Sequence, residues 1–330
     1  MTLFRRIALL LLLIVGALIY LGLNMTRPYA GFKQQVFVDF PKGTGAAQMA
    51  DMLQNAGVIR HSWAFLLARA FRRGATLQAG EYRFNRAASV LEVFDRIHRG
   101  DVFFYELAVP EGKNMFDIAA AAGHLGLFPA DQFLAAARNP ALIRDLDPQA
   151  PTLEGYLFPD TYRLSRTATP ELLCQLMTAK FREVWRGLDT EANVHRTITL
   201  ASLVEKEGKL AAERPIIASV FTRRLAIGMK LDCDPTTVYA ALLAGNYRGT
   251  IYKSDLASSD PYNTYTHAGL PPGPIANPGL ASIKAALHPA DANYLYFVAR
   301  ADGSGGHNFS ADLATQQANV MKYRRAIARQ

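Results

Sequence analysis

An uncharged apolar run near the N-terminus constrains this chain more than any other feature. Residues 7–23 read IALLLLLIVGALIYLGL, which is 17 residues without a charge, at the short end of what spans a bilayer. Arg5 and Arg6 precede the run, so the positive-inside rule predicts a cytoplasmic N-terminus and export of the rest. A cleaved signal peptide is the alternative, but its apolar region is roughly 7–15 residues long and ends at small residues. Residues 22–26, GLNMT, offer no such cleavage site. We therefore expect an uncleaved, single-pass membrane anchor.

The charge balance changes once this segment is set apart. The 330 residues carry 36 basic and 28 acidic side chains, a net charge of +8. Residues 1–27 contain three arginines and no acid, so 33 basic against 28 acidic residues remain outside, a net charge of +5. No basic run is interleaved with aromatic residues, so the sequence predicts no nucleic-acid partner. Half of the residues are apolar, which excludes intrinsic disorder, and the length fits about two domains.

Several standard catalytic signatures are absent from the sequence. It contains no H-E-x-x-H, no G-x-S-x-G and no phosphate-binding P-loop, and its seven histidines are scattered. We therefore expect neither a metal nor a cofactor. An exported chain could join Cys174 to Cys233, and the sequence leaves open whether they pair.

The first part of the exported chain predicts a small α+β module. Apolar periodicity and turn residues predict a strand, two helices, a strand, a helix and a final strand. These elements are expected at residues 35–40, 47–57, 62–71, 78–84, 89–98 and 102–109.

The remainder is predicted to be mostly helical, which makes the whole chain α+β. Helices are expected at residues 114–122, 131–137, 171–185, 191–207, 211–227, 277–287 and 311–329, and a strand at 294–298. Residues 148–170 read as a loop-rich link. Residues 253–278 are rich in Ser, Asp, Tyr, Asn, Pro and Gly, which favours a binding loop.

One carboxyl group is a candidate acid because of its place on a helix. At ~100° per residue, with Leu200 at 0°, Glu207 falls near 340° inside the apolar stripe and Glu205 near 140°, well away from it. Burial raises the pKa of a carboxyl, as a general acid near neutral pH requires. The alternative is a structural Glu207 paired with a neighbouring lysine or arginine.

Other side chains could complete a site around this acid. A hydrolase needs a second carboxylate, for which Glu154, Asp160, Asp232 and Asp234 are candidates, although Asp234 before Pro235 also resembles a helix N-cap. The residues 260–275 combine aromatic rings with amides and hydroxyls, a composition suited to carbohydrate. His307 is expected in a tight turn.

A set of motifs extends over most of the chain. They include residues 42–44 (KGT), 79–82 (AGEY), 154–162 (EGYLFPDTY), 201–207 (ASLVEKE), 228–231 (GMKL), 262–265 (YNTY), 269–275 (GLPPGPI), 288–290 (HPA) and 294–298 (YLYFV). Together they resemble the YceG-like family, whose members are membrane-anchored endolytic murein transglycosylases.

The resemblance implies a domain order and a reaction. Residues 1–27 would be a cytoplasmic tip and anchor, 28–108 a LysM-like glycan-binding subdomain, and 109–330 the catalytic domain. The family's catalytic acid maps onto Glu207. The substrate would be peptidoglycan, cleaved within the strand at the β-1,4 bond between N-acetylmuramic acid and N-acetylglucosamine, leaving a 1,6-anhydromuramyl end.

The resemblance also implies a place and a set of pocket residues. The protein would lie in the bacterial inner membrane with its catalytic domain outside the cytoplasm, ending nascent strands near membrane-bound peptidoglycan synthases. The expected substrate-binding residues are Glu154, Tyr156, Tyr262, Asn263, Tyr265 and His307. A two-carboxylate peptidoglycan hydrolase and a non-catalytic wall-binding scaffold are the alternatives.

Overall fold

The computed structural model describes residues 2–72 and 74–328. The chain forms two compact units, which divide between Phe104 and Tyr105. Residue 1 of the expected anchor segment and residue 329 of the expected last helix lie outside the described residues.

The first unit begins with the long apolar helix α1 (Thr2–Thr26). Its stretch Phe4–Thr26 is long and apolar enough to cross a membrane. The side chains from Phe4 to Tyr20 are exposed. Near its end, the Tyr20 ring stacks on Trp63 with ring centroids 6.3 Å apart.

The rest of the first unit confirms the predicted order up to its third helix. The elements are β1 (Val36–Phe40), α2 (Ala46–Asn55), α3 (Ser62–Phe71), β2 (Gly80–Phe84) and α4 (Val90–Arg99). β1 and β2 pair antiparallel, and one apolar cluster fills the space between them and the helices. Helix α4 starts with a reciprocal capping box of Ser89 and Glu92, and Gly100 ends it at φ 71°, a conformation that glycine adopts without strain.

The last strand predicted for the small module belongs to the second unit instead. Strand β3 (Tyr105–Ala108) pairs antiparallel with β4 (Thr161–Leu164), which lies in the segment expected to be a loop-rich link. Leu107, Tyr162 and Leu164 face the core of the second unit. This pairing joins residues more than 50 positions apart, so local periodicity could not reveal it.

The second unit is mainly helical, as expected. Its remaining elements are α5 (Met115–His124), α6 (Ala130–Ala137), α7 (Pro170–Arg186), α8 (Val194–Glu207), α9 (Arg214–Ala226), α10 (Asp234–Leu243), α11 (Lys253–Leu256), α12 (Leu280–Leu287), β5 (Tyr296–Ala299), β6 (His307–Ser310) and α13 (Leu313–Ile327). Strands β5 and β6 form an antiparallel pair. The mixed, helix-rich α+β class is thereby confirmed.

Helix α8 is the central element of this unit. Every residue from Thr197 to Val204 is buried, because α8 packs against α9, α10 and α12. The Asn193 side chain caps its start by accepting from the Arg196 backbone N–H at 2.8 Å. A helix enclosed on most sides places its last residue, Glu207, in a fixed position.

Candidate active site

A cleft of about 480 Å³ opens at the C-terminal end of α8. Its walls come from α8, α9, the start of α10 and the segment before it, the loop that follows α11, strand β5 and helix α13. The lining residues are Glu207, Phe221, Arg224, Leu231, Asp232, Cys233, Asp234, Pro235, Tyr265, Phe297 and Gln316.

The Glu207 carboxyl is largely desolvated within this cleft. Burial raises the pKa of Glu207, and the negative charge of Asp234 adds to this effect. A hydrogen bond from Cys233 and the charges of His307 and Arg224 act in the opposite direction. The net result is a raised pKa, so Glu207 keeps its proton at a higher pH than an exposed glutamate does. The shift is in the direction that a proton donor near neutral pH requires.

Cys233 is the direct hydrogen-bond partner of this carboxyl. Its Sγ lies 3.2 Å from Glu207 Oε1. Burial first, and then the charge of Glu207, raise the pKa of the Cys233 thiol well above its ordinary value, so the thiol stays protonated and donates. Cys174 and Cys233 are both buried free thiols, which answers the question that the sequence left open.

Hydroxyl groups fix the backbone around Cys233. Its N–H donates to Thr264 Oγ1 at 3.0 Å, and Thr236 Oγ1 donates to its carbonyl at 2.7 Å. The two threonine hydroxyls lie 2.9 Å apart. These contacts attach the loop after α11 to the start of α10, which holds the thiol against Glu207.

Arg224 ties the opposite wall together. Its Nε donates to the Leu295 carbonyl at 2.6 Å and its Nη1 to the Leu231 carbonyl at 2.8 Å. Its guanidinium also lies over the Tyr296 ring and 3.8 Å from an Asp232 oxygen. Arg224 thus joins α9, β5 and the segment before α10, and it contributes a positive charge to the cleft.

Two acidic side chains share the cleft with Glu207. The place of Asp234 before Pro235 had suggested a helix N-cap. Asp234 is instead the first residue of α10, and Cys233 occupies the N-cap position. Tyr265 Oη donates to Asp234 Oδ1 at 2.6 Å. Asp232 has a positive φ of 49°, and burial raises its pKa while Arg224 lowers it.

His307 is the first residue of strand β6 and does not lie in the tight turn expected there; the turn precedes it. The Glu213 carboxylate accepts from the His307 backbone N–H at 3.0 Å and contacts its Nδ1 at 2.8 Å. Because a carboxylate only accepts, Nδ1 carries the proton. The positive charge available to this imidazole is one of the factors that lower the pKa of Glu207.

Five of the six expected substrate-binding residues lie outside the lining of the cleft: Glu154, Tyr156, Tyr262, Asn263 and His307. Asn263 is fully buried; its Nδ2 donates to two carbonyls of α11 and to the Ser258 carbonyl, and its Oδ1 accepts from the Tyr265 N–H. It therefore shapes the loop that carries Tyr265. Tyr262 packs on Tyr239, with ring centroids 5.2 Å apart.

Glu154 and Tyr156 belong to the core. Glu154 is 1% exposed and accepts from the Met115 N–H at 2.9 Å and from Asn277 Nδ2 at 2.7 Å. Tyr156 donates to Asp147, which also contacts His195 Nδ1 at 2.8 Å. Both side chains form their hydrogen bonds within the protein. They therefore stabilise the fold around the cleft and do not line it.

Asp160 is also removed from the cleft. Its carboxylate is exposed and accepts from the Thr161 N–H at the start of β4 at 2.7 Å. The structure therefore leaves Asp232 and Asp234 as the carboxylates near Glu207 among the four candidates.

The helical angle placed Glu205 well away from the apolar stripe of α8, but this carboxyl is buried as well. Its side chain is 5% exposed, and its Oε1 accepts from Arg214 Nη2 at 2.9 Å. Its Oε2 accepts from the Gly279 N–H at 3.1 Å. Because α8 is enclosed on most sides, the angle around the helix axis does not separate buried from exposed carboxyls.

Comparison with known proteins identifies the family of this chain. The profile of the YceG-like family matches residues 38–322. The chain belongs to the YceG-like family. The match starts beyond α1, so it covers the compact part of the first unit and almost all of the second.

Relatives of known sequence and structure agree with the family match. The chain is 32% identical to an endolytic murein transglycosylase of Bacillus subtilis strain 168, covering 88% of this chain and 86% of that protein. It is 28% identical to an endolytic murein transglycosylase of Streptococcus pneumoniae serotype 2, covering 87% of this chain but 60% of that protein. A crystal structure of a yceG-like protein from Listeria monocytogenes has 30% identity and a TM-score of 0.55, covering 87% of this chain and 99% of that chain.

The buried Glu154 predicts a specific dependence of stability on pH. Burial raises the pKa of Glu154 to about 8 from an ordinary value of 4.5. Between these values the folded protein holds a proton that the unfolded chain has released, so the free energy of unfolding falls as the pH rises. Glu154→Gln, which cannot ionise, should flatten this fall in melting temperature between about pH 5 and pH 8. The control Glu191→Gln, at an exposed carboxyl, should follow the wild type. An equally steep fall in the melting temperature of Glu154→Gln would contradict the raised pKa of Glu154.

Proposed function

We propose that this protein is an endolytic murein transglycosylase in which Glu207 is the catalytic acid. The observation that carries the proposal is the partly buried Glu207 carboxyl, which has a raised pKa and accepts a hydrogen bond from Cys233 in an open cleft. The relatives named endolytic murein transglycosylase support the substrate class and the reaction. The substrate is a peptidoglycan strand, cleaved between N-acetylmuramic acid and N-acetylglucosamine.

The reaction requires one group that first donates and then accepts a proton. Protonated Glu207 donates its proton to the glycosidic oxygen as the bond from that oxygen to C1 of the muramyl residue breaks. The C6 hydroxyl of the same residue then attacks C1, and its proton passes to the Glu207 carboxylate. The product end is a 1,6-anhydromuramyl residue, and no water is consumed. Intramolecular attack is favoured because both reacting atoms belong to one sugar.

The surrounding charges suit this sequence of steps. The positive charge near C1 in the transition state is favoured by Asp232 and Asp234, which line the same cleft. Cys233 and Arg224 stabilise the Glu207 carboxylate that remains after the first step. Tyr265, held by Asp234, presents a ring to the sugar face.

A peptidoglycan hydrolase is a second candidate because of the same two carboxylates. In that reaction Asp232 or Asp234 would activate a water molecule while Glu207 acts as the acid. Arg224 lies beside Asp232 and Tyr265 is bonded to Asp234, so both carboxylates already have partners. This arrangement favours an electrostatic role for them.

The position in the cell follows from α1 and the charges before it. We propose that α1 is an uncleaved anchor in the inner membrane, with both folded units outside the cytoplasm. The first unit, from about residue 28 to Phe104, would be the LysM-like glycan-binding subdomain that the sequence assigned to residues 28–108, and its β-α-α-β-α order around one core supports this. Such a protein would end nascent strands close to membrane-bound peptidoglycan synthases.

Two matched substitutions on α8 test the catalytic assignment. Glu207→Gln removes the transferable proton and should lower peptidoglycan cleavage by at least about a hundredfold, with a melting temperature close to that of the wild type. Glu205→Gln removes the charge that faces the half-buried Arg214 and should destabilise the fold by about 1–3 kcal/mol while cleavage persists at low temperature. Muropeptide release from purified sacculi and thermal unfolding measure the two effects. Full activity in Glu207→Gln would refute the assignment of Glu207 as the acid, whereas absence of cleavage by the wild type would favour a non-catalytic scaffold.

The contact between Cys233 and Glu207 predicts a shift in the pH profile. The thiol hydrogen bond lowers the pKa of Glu207, so Cys233→Ala should move the alkaline limb of the cleavage rate to higher pH. Cys233→Ser retains a donor and should leave the limb closer to its wild-type position. Cleavage rates over a range of pH measure the limb, and Cys174→Ala, at the other buried thiol, is the control. Identical limbs in the Ala and Ser variants would contradict a role for the thiol in setting this pKa.

A further inference from the structure

A second cleft lies on the first unit, far along the chain from the catalytic residues. Its volume is about 400 Å³ and four arginines surround it. We call it the arginine cleft, and its lining residues are Arg83, Asn85, Arg86, Ala88, Glu92, Asp95, Arg96 and Arg99. Neither the family resemblance nor the proposed reaction assigns a role to these arginines.

The two carboxylates in the arginine cleft are engaged by other groups. Glu92 Oε2 accepts from the Ser89 N–H at 2.8 Å as part of the capping box of α4. Asp95 forms an ion pair with Arg72, which is not a lining residue. Both carboxylates thus have partners other than the lining arginines, and among these arginines Arg99 pairs with Asp101 at 3.0 Å.

Aromatic rings hold two of the guanidinium groups in place. Arg96 lies over the Phe84 ring at 4.9 Å and donates to the Arg83 carbonyl at 3.0 Å. Arg83 lies over the Phe103 ring at 4.8 Å. Stacking leaves the edges of a guanidinium free to donate hydrogen bonds. Two binding groups are therefore ordered before any ligand arrives.

The electrostatics of the arginine cleft favour an anion. Burial lowers the pKa of Arg96, Asp101 opposes this shift, and the positive charges of Arg86, Arg83 and Arg99 lower it further. Mutual repulsion among the arginines is an energetic cost that a bound anion would remove.

The arginine cleft begins beside the end of the apolar helix. Ala88, a lining residue, exchanges both backbone hydrogen bonds with Tyr29 at 3.0 and 3.2 Å. Tyr29 is three residues beyond Thr26, the last residue of α1. If α1 spans a membrane, a connection of three residues keeps the cleft within about 10 Å of the surface.

We propose that the arginine cleft binds the phosphate group of an anionic lipid headgroup at the membrane surface from which α1 emerges. This inference rests on the proposed anchoring by α1 and not on the catalytic role of Glu207. Guanidinium groups match phosphate oxygens by paired hydrogen bonds. Binding would hold the first unit against the membrane and so limit the orientations of the chain above it.

The test uses the full-length protein in detergent and removes two exposed arginines. Arg86→Gln/Arg99→Gln takes two charges from the cleft, whereas Arg138→Gln/Arg144→Gln takes two exposed charges from the second unit and is the matched control. Native mass spectrometry measures retention of phosphatidylglycerol and, as the zwitterionic comparison, of phosphatidylcholine. Wild type and control should bind phosphatidylglycerol about tenfold more tightly than the cleft variant, since two cationic contacts are lost.

Several results would overturn the proposal. These are equal retention of phosphatidylglycerol by the cleft variant and the wild type, and equal retention of the two lipids by the wild type. Inorganic pyrophosphate should compete with phosphatidylglycerol; if it binds in an arginine-dependent way while the lipid is not retained, the ligand is a soluble phosphate and the lipid proposal fails.

Two further measurements separate this proposal from the proposed function. Glu207→Gln should lose cleavage and yet retain phosphatidylglycerol as tightly as the wild type, because Glu207 is not among the residues that line the arginine cleft. Alkaline carbonate should leave the wild type in the membrane fraction, and its release would contradict both the anchor and a membrane lipid as the ligand.

Discussion

The arrangement of the cleft in the second unit depends on one constraint, which is that the Glu207 carboxyl lies at the end of an enclosed helix. Enclosure desolvates the carboxyl and raises its pKa, which would simply be a cost to folding if the group had no partner. The Cys233 thiol supplies that partner at 3.2 Å. It is a weak donor, so it stabilises the carboxylate without holding it permanently ionised. A stronger cationic partner, such as Arg214 beside Glu205, would keep the group charged and unable to donate a proton.

Polar contacts between distant segments hold the walls of the cleft. Thr264 and Thr236 fix the backbone at Cys233, and Ser202 on α8 accepts from the Ile275 N–H at 3.1 Å. Asn277 accepts from the Gly155 and Leu157 N–H groups. Burying such groups is favourable only when all of them are paired, so each contact specifies one arrangement of loops around α8. The polar, aromatic composition of residues 260–275 is thus used largely for internal bonding, with Tyr265 as the side chain that reaches the cleft.

Local patterns predicted much of the fold and only part of the site. The helix over residues 62–71 and the capping of α4 follow from sequence periodicity and from Ser89, Glu92 and Gly100. The pairing of β3 with β4 and the position of Cys233 depend on contacts between distant parts of the chain. The helical-face argument placed Glu207 correctly in a desolvated position but failed for Glu205, because it assumed that α8 has a solvent-facing side. Tyr156 and Asn263 were expected to bind substrate, but both are buried in the core. The sequence could not separate the two roles, because buried hydrogen-bond networks use the same residue types as a carbohydrate site.

The most direct test of the account is the origin of the oxygen at the new strand end. Sacculi digested by the wild type in water enriched in ¹⁸O should yield muramyl ends that carry no ¹⁸O, because the C6 hydroxyl of the sugar attacks C1. Mass spectrometry of the released muropeptides should show anhydro ends without label. Labelled reducing ends would mean that water attacks, that Asp232 or Asp234 serves as a base, and that Glu207 does not act alone.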